Sequence, residues 1–240
     1  MDRSLTRFIV DTTETEDPRT SFDRQSARLL RIDVDGAVWL KPGAAIAYRG
    51  DLSFERLPTA GAHSMQEAAV RELNPLVRAR GRGRLFCGHH GCHVHVIELA
   101  GETITVSWVE LLAFEESLHF EAGLVEHGVG IAAGGLVAVK LTGCGCVAIT
   151  AHGTPLTLRV APGDPVSTDP HATLAWSDQL TPRLKTDVSW RSLFGHGGQE
   201  PVQMLFEGSG FVVVQPFEDP RRFTFRGNPV EGVLTRLTKL

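Results

Sequence analysis

A glycine-centred unit, written three times, limits what this 240-residue chain can fold into more than any other feature. The clearest copy is Val139-Lys140-Leu141-Thr142-Gly143-Cys144-Gly145-Cys146-Val147-Ala148-Ile149-Thr150. A second is Met204-Leu205-Phe206-Glu207-Gly208-Ser209-Gly210-Phe211-Val212-Val213-Val214-Gln215. A looser third runs Leu85-Phe86-Cys87-Gly88-His89-His90-Gly91-Cys92-His93-Val94-His95-Val96. Each predicts an apolar strand, a tight glycine turn and a second strand rich in valine, because glycine enters φ > 0 without a Cβ penalty. A second motif recurs between the copies: Leu40-Lys41-Pro42-Gly43-Ala44-Ala45-Ile46 and Val160-Ala161-Pro162-Gly163-Asp164-Pro165-Val166, with Leu99-Ala100-Gly101-Glu102-Thr103-Ile104 as a middle version lacking proline. The whole unit repeats roughly every 50 to 65 residues, which implies supersecondary units that share one core.

The rest of the chain fits an all-β reading. Leu30-Arg31-Ile32-Asp33-Val34 alternates apolar and polar residues with period two, as a half-buried strand does. Asp35-Gly36 predicts a hairpin turn before Ala37-Val38-Trp39-Leu40. Many short strands punctuated by Gly and Pro turns point to a sandwich or barrel. Two stretches break the pattern. Ser64-Met65-Gln66-Glu67 is a capping box that predicts a short inserted helix ending at Pro75. Val233, Leu237 and Leu240 have the spacing of a C-terminal amphipathic helix. The organisation expected is an N-terminal strand and loop over 1–27, a β domain of about three repeats over 28–217, and a C-terminal extension over 218–240.

These segments resemble the AIM24 family. The residues that carry the resemblance are Ala161-Pro162-Gly163-Asp164, Asp169-Pro170-His171-Ala172-Thr173-Leu174-Ala175-Trp176, Ser192-Leu193-Phe194-Gly195-His196-Gly197-Gly198 and Phe206-Glu207-Gly208-Ser209-Gly210-Phe211-Val212-Val213-Val214-Gln215. The match spans 28–217 and is closest in the C-terminal half. The resemblance implies a double-layered, pseudo-repeated β-sandwich or barrel similar to the tryptophan RNA-binding attenuator protein. It brings no catalytic residues. It associates mitochondrial members with inner-membrane organisation and bacterial members with stress response. RNA binding does not transfer with the fold.

The chemistry-bearing residues concentrate in two places. Cys87-Gly88-His89-His90-Gly91-Cys92-His93-Val94-His95 sets six potential metal ligands in nine residues. His93 and His95 share one strand face, and with Cys87, His89 and Cys92 they make a candidate zinc site. Against this, the Cys-x₄-Cys spacing is atypical, cysteine is a common core residue, and turn histidines are ordinary. The second place is a glycine-broken arginine loop, Arg78-Ala79-Arg80-Gly81-Arg82-Gly83-Arg84, in which Arg80, Arg82 and Arg84 are candidate anion contacts. Such runs are usually solvated.

A formal net charge of −4 and few aromatics argue against DNA and RNA as partners. Gly128 to Gly135 lacks the strand-before, helix-after frame of a dinucleotide loop, and Gly208-Ser209-Gly210 lacks that of a nucleophile elbow. The N-terminal residues carry no secretory signature and no apolar run is long enough to span a bilayer, so a cytoplasmic protein with reduced thiols is expected. The reading is a non-enzymatic, self-associating scaffold or binding module with no resident cofactor and an unidentified protein partner. The alternatives are a cupin-like metalloprotein using 87–95 and an RNA or anionic-ligand binder using 78–84.

Overall fold

The structure is a computed structural model and describes residues 4–15, 20–56, 76–125, 137–186 and 202–216. Over these residues the chain is almost entirely antiparallel β. The order is α1 (Leu5–Thr12), β1 (Phe22–Ser26), β2 (Leu29–Leu40), β3 (Ala45–Arg56), β4 (Val77–Cys87), β5 (His93–Ser107), β6 (Leu111–Glu115) and β7 (His119–Leu124). It continues through β8 (Val137–Ala151), β9 (Leu156–Val160), β10 (Val166–Thr168), β11 (Thr173–Ser177), β12 (Arg183–Thr186), β13 (Val202–Phe206) and β14 (Gly210–Val214). Eleven strands form one sheet along β3-β4-β2-β6-β8-β5-β11-β14-β9, with β1 on β2 and β7 on β8. β10, β13 and β12 form a second sheet. The expected inserted helix at 64–75 and C-terminal helix at 231–240 lie outside the described residues, as do Gly128 to Gly135 and Gly195 to Gly198.

The repeated glycine motif is real, but it does not make hairpins. Gly143-Cys144-Gly145 lies inside β8, which pairs with β5 on both sides of it. Gly143 and Gly145 have φ of +125° and +155°, so the strand kinks without ending. On its other edge β8 changes neighbour at the kink, from β7 through Thr142 to β6 from Val147 onward. Asp35-Gly36 likewise sits within a continuous β2, where Gly36 pairs with Gly81 of β4. Gly101 has φ +108° inside β5 and makes no turn. The third copy also shifts: β4 and β5 flank Gly88 to Cys92 but pair with different strands, and the matching kink is Gly81-Arg82-Gly83 in β4. Gly208-Ser209-Gly210 carries the chain from the small sheet at β13 to the large one at β14. One device therefore recurs, a glycine step that redirects a long strand. It lets β3 fold until the rings of Tyr48 and Phe54 meet at 5.1 Å. On a straight strand those Cα atoms would stand about 20 Å apart.

The Pro-Gly turns form where the sequence predicts them. Ala44 N donates to Lys41 O at 3.1 Å across Gly43 (φ +77°), and Asp164 N donates to Ala161 O at 2.9 Å across Gly163 (φ +83°). Proline at the second turn position and glycine at the third are what a type II turn requires.

Kinking strands brings both halves of each onto shared cores. Ile104, Leu111, Phe114, Leu141, Val147 and Leu174 centre the largest cluster, and Leu30, Ile32, Val38, Leu40, Leu85 and Leu112 the next. Glu115 closes the β8 kink: its carboxylate accepts from Cys146 N at 2.9 Å and from Ser21 Oγ at 2.6 Å. Ser117 Oγ donates to Cys144 O at 2.9 Å beside it.

The N-terminal segment, expected as strand and loop, contains β1 and adds a helix. Ser4 Oγ caps α1 by accepting from Arg7 N at 3.2 Å. Leu5, Phe8, Ile9 and Val10 of α1 are all exposed. The following residues are strapped to the sheet. Thr15 N donates to Gln25 Oε1 at 2.8 Å, Arg31 donates to Thr15 O, and Glu14 pairs with Arg49 at 2.7 Å and Arg84 at 3.5 Å.

Candidate functional site

The arginine run is a strand, not a loop. In β4 the residues Arg78, Arg80, Arg82 and Arg84 alternate with Ala79, Gly81, Gly83 and Leu85, so period two puts all four on one face. Acidic side chains meet three of them. Arg78 pairs with Glu116 and lies 5.7 Å over the Trp39 ring. Arg82 reaches Asp35 at 3.4 Å, and Arg84 reaches Asp33 at 3.0 Å and Glu14 at 3.5 Å. Arg80 has no ion pair among the described residues. An open hollow of about 490 Å³ on this face is lined by Asp33 and Asp35 as well as Arg49, Arg82 and Arg84. Its charge is mixed, which blunts attraction for a polyanion.

The cysteine and histidine residues of 87–95 separate in space. Cys87 is fully buried at the end of β4, inside the second core cluster. Burial pushes its thiol pKa up to about 12. Cys146, half-buried in β8, is pushed up to about 11 by burial and by the nearby charges of Glu115 and Glu98. Both thiols are therefore held in the protonated form. His89, His90, Gly91 and Cys92 form a turn closed by Cys92 N donating to His89 O at 2.9 Å. Its central residues take φ of +46° at His90 and +70° at Gly91. His93 and His95 do lie on one side of β5, as period two requires, and both are half-buried. Burial holds the pKa of His95 below its ordinary value, with the charges of Arg24 and His93 acting the same way and a hydrogen bond to the Gly153 backbone opposing them. Among the described residues no three His, Cys, Asp or Glu side chains converge as a cation site.

The turn instead brings Cys92 to a residue that belongs to no motif in the sequence. Cys92 Sγ lies 3.4 Å from His152 Nε2. His152 follows β8, and its backbone N donates to Gln215 Oε1 at 2.8 Å. Gln215 is buried and also donates through its own N to Ala172 O at 2.8 Å. The closing glutamine therefore ties the end of β14 to the loop that holds His152. A hollow of about 250 Å³ opens beside the pair, lined by Arg28, Cys92, His93, His152, Gly153 and Pro216 among others.

The Cys87 shift predicts a pH dependence. The folded pKa lies above the unfolded one, so its stabilising effect is complete below about pH 9 and is lost as pH rises towards 12. Across that window the loss is about 1.4 kcal/mol per pH unit. Urea unfolding of the native protein and of Cys87→Ala from pH 8 to 10.5 should show the native protein falling more steeply. Parallel curves would mean that Cys87 does not carry the effect.

The third feature is an edge. Among the described residues β3 pairs only with β4. Every residue of β3 except Leu52 is exposed, including Ile46, Tyr48 and Phe54.

Comparison with known proteins bears on the fold as a whole. The crystal structure of a Streptococcus pyogenes protein is similar, with a TM-score of 0.64 at 18% identity, covering 92% of this chain and 98% of that one. That likeness supports the β architecture alone. No curated protein shows significant sequence similarity. No helix among the described residues is long and apolar enough to cross a membrane. The family model described as mitochondrial biogenesis AIM24 matches residues 21–217. That range takes in β1, which pairs with β2, and runs past the Gln215 clasp. The chain belongs to the AIM24 family.

Proposed function

We propose that the protein is a non-enzymatic AIM24-family module that works by self-association, offering its β surface as a scaffold for partners. The observation that carries this reading is β3. Among the described residues this twelve-residue strand ends the large sheet and presents backbone donors and acceptors that another strand can pair with. The strand is also suited to a second copy of itself. Antiparallel self-pairing centred on Gly50 sets Arg49 of each copy opposite Asp51 of the other. Ile46, Tyr48 and Phe54 supply apolar area on the same element. A two-fold join of this kind is closed and uses the same patch twice. The two alternatives have weaker support. Three of the four arginines on the arginine face are matched by carboxylates, and no three of the cysteines and histidines of 87–95 converge.

Sedimentation of the full chain at micromolar concentration should give one discrete oligomer. Ile46→Lys with Tyr48→Lys should shift it to the monomer and leave the melting temperature within about 2 °C, because both side chains are already solvated. A monomeric native protein, or an oligomer indifferent to both changes, would overturn the reading.

A further inference from the structure

We propose that Cys92 is a reactive thiol activated by His152, and that the hollow beside them admits small hydroperoxides, with hydrogen peroxide the simplest.

Three observations support this independently of the self-association reading. The first is the contact itself. Sγ lies 3.4 Å from Nε2 and 4.0 Å from Nδ1, so it rests against the imidazole ring, within reach of a group that can take the thiol proton and steady the thiolate. The second is how both partners are held. Cys92 sits at the end of a turn whose centre carries a histidine in the left-handed region, an uncommon conformation for a residue other than glycine. His152 is fixed from behind by the Gln215 side chain. The third is the hollow. Cys92 is nearly inaccessible as a residue, yet it lines about 250 Å³ of open space, several times the volume of a water molecule. Space on that scale admits a peroxide.

Among the described residues the ionisable groups that line the hollow beside Cys92 are Arg28 from the turn between β1 and β2, His93 from β5 and His152 from the loop after β8, all cationic or protonatable. The other cysteines give the contrast. Cys87 and Cys146 are held protonated by burial, and Cys144 is exposed to solvent in the β8 kink, away from this cluster.

The step balances. His152 Nε2 takes the Cys92 proton, and the thiolate attacks one peroxide oxygen. The S–O bond forms as the O–O bond breaks. The leaving hydroxide takes the proton from the imidazolium, and Arg28 offsets its charge as it departs. Sulfur is oxidised from thiol to sulfenic acid and the peroxide is reduced to water, a change that a thiol reductant reverses.

The test uses the full chain, reduced, then exposed to substoichiometric hydrogen peroxide at pH 7 with a sulfenic-acid trap present. Peptide mapping follows all four cysteines. Cys92 should be trapped first, at a rate at least roughly tenfold above that of Cys144. His152→Gln should remove that advantage and leave the Cys144 rate unchanged. Cys144 outpacing Cys92 in the native protein would overturn the proposal without recourse to any variant. So would a Cys92 rate indifferent to His152→Gln in a variant with the native melting temperature.

Discussion

Gly81→Ala is expected to destabilise the protein by roughly 3 to 6 kcal/mol, much of the stability of an ordinary domain. Two penalties coincide there. Gly81 has φ +132°, where an L side chain is strained, and a Cβ would stand 2.0 Å from the backbone oxygen of Asp51. Neither can relax cheaply, because the obstruction is main chain in the paired strand β3. Two neighbouring glycines separate the penalties. Gly36 has φ +118° with nothing within 4 Å of an added methyl, so Gly36→Ala should carry only the backbone strain, about 1 to 2 kcal/mol. Gly83 has no such φ, but its Cβ would stand 2.2 Å from Arg49 O, so Gly83→Ala should carry the steric cost, roughly 1 to 3 kcal/mol. Chemical denaturation should rank the losses Gly81, then Gly83, then Gly36. If Gly36→Ala matched Gly81→Ala, close strand approach would not be what these glycines serve.

The same glycines mark how far the sequence can be read. The Pro-Gly turns are legible because a type II turn is local: proline fixes one φ and glycine permits the next. The Gly-x-Gly steps stand out as a repeat, yet their sequence suggests hairpin turns that the fold does not make. A positive φ serves a turn and a mid-strand kink equally, and only long-range pairing decides between them. At Gly143 and Gly145 that pairing comes from β5 and from a carboxylate at Glu115. Glycine and charge likewise suggest a loop over the arginine run. Its strict alternation, Arg78 to Arg84, is itself the period-two signal of a strand. The α1 cap is also present in the sequence, as Ser4 before an apolar run. Nothing local points to His152. It reaches Cys92 across sixty residues of chain, and a contact between two turns leaves no periodicity to detect.

Removing the Asp23 and Asp33 carboxylates beside Arg31 is expected to cost roughly 3 to 5 kcal/mol, a loss that comes from charge rather than shape. Arg31 is 1% exposed near the start of β2. Its guanidinium reaches Asp23 Oδ2 at 3.4 Å and Asp33 Oδ2 at 3.1 Å, and it donates to Thr15 O. Among the described residues two anions and a carbonyl meet this buried cation. Asp23→Ala with Asp33→Ala would remove both of those anions and would also release Arg84 from Asp33. Adding Arg31→Met to that double variant removes the under-compensated charge and keeps most of the buried volume, so it should recover a large share of the lost stability. The recovery is the decisive reading: a triple variant no more stable than the double would show that the carboxylates stabilise the sheet without reference to Arg31. The Glu14 contacts to Arg49 and Arg84 provide a control, since those pairs are more exposed and Glu14→Ala should cost no more than about 1 kcal/mol. A cluster of this kind gives little net stability over an apolar core but holds one arrangement of strands firmly. Here it fixes the strap that carries α1 against β1 and β2, which sets where the exposed face of Leu5, Phe8 and Ile9 stands relative to the sheet.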